Sequence, residues 1–355
     1  MASITCTRSL RAVRCLPHPR LTRSQSTTPF ASLQTSLPAR PPQLIHDLAS
    51  PVPSWKLHRI LTGFVPPSWL PPTHSDTPIP TDPTPLPLPP AHHLVYFNPT
   101  IPENSLLPDG TDPSQSPGGP FVRRMWAGGD VTWLNRGALD LAANTPAVCV
   151  ERIKDVAIKG KEGDEKVFVG IERRMGPVAG WEAEQRGDAV AGGWEQCVER
   201  RNIVFMRERA TEEIEKLRAA VRNGEVVKGK VVKAAHAATI SHALTPSPAL
   251  LFRFSALTFN AHAIHLDPGY CREVEGHRGL LVHGPLALTL VVTMIEARMR
   301  ETGGTIKSIE YRNLAPLYAG EEMRVCGRDA GNGRWDVWVE GPEGGMSLKG
   351  TVMTE

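Results

Sequence analysis

His262, His265 and His283, together with Asn260 and a Gly284-Pro285 pair, interrupt an otherwise apolar stretch over residues 252–286. Histidine ordinarily titrates near ~6.5, so it can accept and return a proton at neutral pH. Asn260 can orient a hydrogen-bonding group but cannot exchange a proton there. Thiol or zinc chemistry has no comparable support. Cys149, Cys197, Cys271 and Cys326 are widely separated, with no CxxC and no zinc-ligand spacing, and read as reduced structural thiols. Each histidine also has an ordinary use: His262 as a packed side chain, His283 as a helix cap, His265 as a loop-end residue. Asp267, ahead of Pro268 and Gly269, reads as turn chemistry before it reads as a partner for an imidazole.

The elements that must hold these residues follow from periodicity. Residues 285–301 form a helix with Pro285 in its first turn and Gly303-Gly304 as its stop. Residues 286–295 are apolar on every face apart from Thr289 and Thr293, so the helix must be wrapped. The wrapping comes from alternating runs at residues 305–312, 322–328, 334–340 and 346–353, preceded by a strand at 249–254; in the third run Trp335, Val337 and Val339 share a face. One long helix clasped by a curved antiparallel sheet is the α+β hotdog architecture. Residues 121–206 are also strand-like, with apolar runs at 156–158, 167–171 and 203–205 at hairpin spacing, and residues 210–222 form an exposed helix joining two halves. Residues 44–64 suggest two short helical turns broken at Pro51 and Pro53. Between Pro66 and Pro120 lie 17 of the 33 prolines, which predicts an extended wrapping arm, docked through residues 94–97.

Composition bounds the setting. The first 46 residues lack Asp and Glu but carry Arg8, Arg11, Arg14, Arg20, Arg23 and Arg40 among Ser and Thr, which matches a mitochondrial presequence and predicts a matrix protein. Loss of those six arginines takes the formal charge from +3 to −3. The remaining Lys and Arg are interleaved with acids, which argues against nucleic acid. The apolar run at 286–295 is about half the ~20 residues of a transmembrane helix, so no spanning segment is expected.

Several stretches together resemble the MaoC-like hydratases and dehydratases, and most closely their two-hotdog branch, which contains fungal mitochondrial 3-hydroxyacyl-thioester dehydratases and mesaconyl-C4-CoA hydratase-like proteins. The likeness lies in residues 123–129 (RRMWAGG), 254–260 (FSALTFN), Ile264-His265 and 283–286 (HGPL), and covers roughly residues 88–355. It implies a double hotdog of two curved antiparallel sheets, the C-terminal one wrapped round the long helix. The organisation expected is a presequence at 1–42, a degenerate hotdog at 43–206 that includes the arm at 66–120, a connecting helix and linker at 207–246, and a catalytic hotdog at 247–355.

The implied reaction interconverts 3-hydroxyacyl and trans-2-enoyl thioesters, with acyl-carrier-protein or CoA thioesters as partners and no cofactor or metal. In the family motif an Asp and a His form the acid/base pair. Here the His is His265 and the Asp position holds Asn260, which leaves one titrating group and one orienting group. The resemblance implies His265 as the proton carrier, Asn260 holding the hydroxyl or water, and the Gly284 N–H stabilising charge on the thioester oxygen. His262 and His283 are candidate substrate contacts. Arg123 and Arg124 are either a strand start or contacts to a phosphopantetheine or carrier surface. The leading expectation is a mitochondrial 3-hydroxyacyl-carrier-protein dehydratase of type II fatty acid synthesis. A hydratase of short branched dicarboxylic CoA esters is the near alternative, and a non-catalytic acyl-thioester-binding hotdog protein the alternative from another class. A monomer and a homodimer both remain open.

Overall fold

In the computed structural model, residues 30–71, 77, 84–190, 192–223 and 231–355 are described. The first half contributes β1 (Gln43–Ala49), β2 (Arg123–Trp133), β3 (Thr145–Lys159), β4 (Lys166–Pro177) and β5 (Cys197–Met206), adjacent in the order β1-β3-β4-β5-β2. The second contributes β6 (Ile240–Leu244), β7 (Ile306–Asn313), β8 (Met323–Gly331), β9 (Arg334–Glu340) and β10 (Met346–Thr354), in the order β7-β10-β9-β8-β6. Strands β2 and β7 pair from Gly128↔Arg312 to Thr132↔Ser308, so the two hotdog halves share one continuous ten-stranded antiparallel sheet. The helices are α1 (Leu33–Ser36), α2 (Pro51–Leu61), α3 (Val178–Arg186), α4 (Thr211–Arg222), α5 (Pro248–Leu257), α6 (Pro268–Glu273) and α7 (Gly284–Thr302).

Helix α7 is the one the second half wraps. Leu286, Leu290, Val291 and Ile295 are fully buried against sheet residues such as Ile309, Val325, Val337 and Val352. Each such side chain contributes about 1.5–3 kcal/mol of burial. Thr289 tolerates this surrounding because its hydroxyl donates to the Pro285 carbonyl one turn earlier. Toward its end Glu296 pairs with Arg136 at 3.0 Å and Arg300 donates to the Ser68 and Trp69 carbonyls, which fastens both the first half and the proline-rich arm to the helix. Leu94, Val95, Tyr96 and Phe97 are buried where the arm docks.

Three local expectations change. Residues 249–254 are not a strand but part of α5: Ser247 accepts the Leu250 N–H as N-cap, Pro248 sits in the first turn, and Leu250, Leu251 and Phe254 are buried at helical spacing. Pro51 and Pro53 do not break helical turns over 44–64. Strand β1 precedes them, and they open α2, where a proline's missing N–H has no intrahelical acceptor to lose. Within the stretch read as linker, Ile240–Leu244 is an edge strand paired with β8.

Residues 1–29 of the arginine-rich segment lie outside the described residues. Residues 30–42, read with it from composition, pack on the body. Leu37 is buried with Phe121, Val167 and Phe205, Phe30 meets Phe121 edge-on, and Arg40 donates to the Ser114 and Ser116 carbonyls. Among the described residues, no helix is long and apolar enough to cross a membrane.

Candidate active site

The loop between α5 and α6 turns sharply, with Phe259 in the left-handed region at φ 51° and a single 3-10 turn at Ala263–His265. Asn260 shapes it: its Oδ1 accepts the His262 N–H at 3.0 Å and its own N–H donates to the Ser255 carbonyl. Asp267 ends it as the N-cap of α6, accepting from the Gly269 and Tyr270 N–H groups, which is the turn role its sequence context predicts.

His265 is fixed at one ring edge. Its Nδ1 lies 2.8 Å from the Leu281 carbonyl, an acceptor only, so the proton sits on Nδ1 and Nε2 carries the lone pair. Burial pushes its pKa down to about 4 despite that carbonyl, so the ring is a neutral base at physiological pH. The His283 ring stacks on it at 3.7 Å and 21°, and the His262 ring stands edge-on at 5.6 Å. His283 is fully buried, shares a 2.8 Å hydrogen bond with Ser255 Oγ, and does not cap α7 with its side chain. Burial first, then the neighbouring histidines, hold His283 well below its usual range; burial, His265 and Arg124 do the same for His262.

Gly284 opens α7 directly after His283, and its N–H makes no hydrogen bond among the described residues. Pro285 has no N–H, so the amide at Gly284 is the donor that the helix terminus presents. A Cβ there would lie 3.1 Å from Asn313 Nδ2, which is itself occupied with the Trp126 carbonyl. His262, His265, His283 and Gly284 all line one cavity of about 960 Å³, with Trp126 and Asn313 from the β2–β7 seam on its wall. A proton acceptor and an unengaged amide donor that line one cavity suit enolate-type proton transfer next to a carbonyl.

The first half supplies four of the arginines that line the cavity: Arg123, Arg124, Arg173 and Arg201. Arg123 begins β2 and pairs with Glu275 at 2.7 Å, which closes one wall rather than leaving a free cation. Arg124 lies over the Phe205 ring at 5.0 Å and has no ion pair within 4 Å among the described residues. Deeper, Arg173 lies 3.0 Å from Glu151 and donates to the Phe97 carbonyl, while Arg201 pairs with the fully buried Glu199 at 2.8 Å and covers the Trp126 ring. Burial opposes ionisation of Glu199, but Arg201, His93 and Arg173 outweigh it and hold its carboxyl at about 2.

The model of the hydroxyacyl-thioester dehydratase type 2 family matches residues 91–319. The chain belongs to this family. As a member of it, the chain is a hydro-lyase. The mesaconyl-C(4)-CoA hydratase of Chloroflexus aurantiacus is 32% identical to it over 269 residues, covering 75% of this chain and 83% of that one. The mitochondrial hydroxyacyl-thioester dehydratase type 2 of Schizosaccharomyces pombe is 25% identical over 301 residues, covering 84% and 92%. A MaoC-like dehydratase from Phytophthora capsici superposes with a TM-score of 0.57 at 12% identity over 90% of this chain and 96% of its own, which shows the shared fold.

Sequence reasoning about this dehydratase missed the part of the site that comes from the arm. Asp109 and Gly110 lie against the histidine loop: the Ala263 N–H donates to the Asp109 carbonyl at 2.9 Å, and Asp109 Oδ2 stands 3.6 Å from His262 Nε2. The Asp-Gly pair announces a turn but not what the turn touches. Glu199 and Arg201 were equally silent, because acids and arginines on a strand ordinarily face water.

Proposed function

We propose that His265 is the proton carrier of this dehydratase, and that the enzyme works on 3-hydroxyacyl thioesters in mitochondria. One observation carries the assignment: the Nδ1–H of His265 is committed to the Leu281 carbonyl, so its Nε2 is a bare base in the cavity that also holds the free amide of Gly284. In the dehydration direction the thioester carbonyl accepts from Gly284 N–H, and Nε2 takes the C2 proton. The electron pair of the broken C2–H bond passes through the thioester enolate to form C2=C3. The C3–O bond then breaks, and the hydroxyl leaves as water with the proton that His265 returns. Asn260 Nδ2 is the group available to steer the hydroxyl, since Oδ1 is engaged in the loop.

The arginine-rich, acid-free segment and the mitochondrial relative of S. pombe support the location. A leader removed ahead of Phe30 leaves the packing of Leu37 and Arg40 intact. The seam of β2 with β7 gives one chain the continuous sheet that single hotdogs reach by pairing, which supports a monomer. The second reading, a short dicarboxylic CoA ester, is favoured by Arg124, a cation on the cavity wall that feels Asp109 and Asp112 but has no carboxylate within 4 Å among the described residues. Hydration rates with straight-chain and dicarboxylic enoyl groups, each on carrier protein and on CoA, decide between them. Preference for straight-chain carrier-protein substrates supports the first reading; preference for dicarboxylic CoA esters that is lost in Arg124→Gln supports the second; no turnover on any of the four removes both.

A further inference from the structure

Asn260 in place of the motif's aspartate leaves that position without an acid, and Asp267 is occupied as the N-cap of α6, yet a carboxylate reaches the loop from elsewhere. Asp109 is 5% exposed and comes from the first half's arm, about 150 residues away in sequence. Its Oδ1 accepts from the Thr111 N–H at 3.0 Å and the Thr111 hydroxyl at 2.5 Å, which fixes the side chain's direction. Its Oδ2 is buried and has no hydrogen-bond partner among the described residues, and 3.6 Å away stands His262 Nε2. A carboxylate oxygen kept from water without a donor is destabilising, and is retained where the surrounding contacts over-determine it. Here they do: the Ala263 N–H is bound to the Asp109 carbonyl, and Gly110 lies so close beneath the Ala261 carbonyl that a Cβ would stand 2.1 Å from its oxygen.

We infer that Asp109 is a positioning residue for His262, fixing its proton on Nε2 so that Nδ1 is left as an acceptor for the hydroxyl or water of the substrate. The inference rests on the dehydratase reading above, and on the carboxylate reaching from one hotdog half to the loop of the other. The charged and titratable groups around His262 are His265 on its own loop, His283 at the head of α7, Arg124 from β2, and Asp109 itself, with Asp112 beside Arg124 and Tyr270 of α6 beside Asp109. Burial, His265 and Arg124 keep the imidazole neutral, so it holds a single proton, and of these neighbours only the Asp109 carboxylate stands in ion-pair range of a ring nitrogen to attract it. His262 thereby supplies an oriented acceptor next to the base at His265, which is the second member that the altered motif lacks.

The test uses the full chain labelled with ¹⁵N-histidine, the His262 signals being identified by their loss in His262→Gln. The expected spectrum of the wild type has His262 protonated at Nε2; a ring protonated at Nδ1 overturns the inference, whatever the variants do. Asp109→Asn keeps an acceptor for Thr111 but removes the charge. It is expected to shift the His262 tautomer toward Nδ1–H, to lower kcat for enoyl-thioester hydration by roughly tenfold or more with KM little changed, and to alter the pH profile of kcat. Unchanged tautomer and unchanged kcat in Asp109→Asn overturn the inference while leaving the dehydratase reading intact. A wild type with no turnover overturns the dehydratase reading, and the tautomer measurement still decides the Asp109–His262 contact.

Discussion

Replacing Gly110 by alanine tests whether the first half's arm holds the histidine loop in place. Gly110 has φ +80°, and its Cβ position lies 2.1 Å from the Ala261 carbonyl oxygen and 2.9 Å from its carbon. Both are backbone atoms, so no rotamer change relieves the overlap. Gly63 is the matched control, with φ +88° and nothing within 4 Å of its Cβ position. Gly63→Ala therefore measures left-handed strain alone, about 1–2 kcal/mol, with turnover unchanged. Gly110→Ala adds the overlap, for a total of roughly 2–4 kcal/mol, and to widen 2.1 Å to the 3.4 Å of ordinary contact the arm and the 260–265 loop must separate by about 1.3 Å. A shift of that size in a group that meets the substrate costs on the order of 100-fold in rate. Urea midpoints give the stability terms, and loss of the conjugated enoyl-thioester absorbance gives the rates. If Gly110→Ala hydrates at the wild-type rate, the arm does not position the loop.

Two further outcomes are expected. His93 and His265 are both held neutral by burial at about 4, against an ordinary 6.5, so each native ring resists the proton that the unfolded chain accepts. Stability is then full above about pH 6.5 and falls as the pH drops toward 4, by about 3 kcal/mol per histidine; a urea midpoint constant across that window contradicts the burial of both rings. Asn260→Asp keeps the acceptor for the His262 N–H and adds a negative charge near His265, so the fold should hold within about 0.5 kcal/mol while the acid limb of kcat/KM moves upward. An unmoved limb means that position 260 does not sense the reacting base.

Much of the second half was legible because period and face agreed. The apolar run of α7 between Pro285 and Gly303 has one physical solution, enclosure, and the alternation of β9 puts Trp335, Val337 and Val339 on the enclosing side. Where local and tertiary signals conflict, the reading failed. Residues 249–254 have strand-like apolar content, but Ser247 and Pro248 start a helix there, and Pro51 opens α2 in a stretch where proline was read as a break. His265 could be singled out from residue type and motif alone. The commitment of its Nδ1 to Leu281, the stacking of His283 and the approach of Asp109 arise from segments 16, 18 and about 150 residues distant, whose contact no local pattern encodes.

The most direct measurement of the central claim is exchange at C2. A 3-hydroxyacyl or enoyl thioester is turned over in deuterated water by the wild type and by His265→Gln, and deuterium at C2 is followed by mass spectrometry, with binding of the thioester measured separately. The wild type should label C2, and His265→Gln should bind the thioester yet label it roughly 100- to 10,000-fold more slowly. Labelling by His265→Gln at the wild-type rate would mean that another group takes the C2 proton.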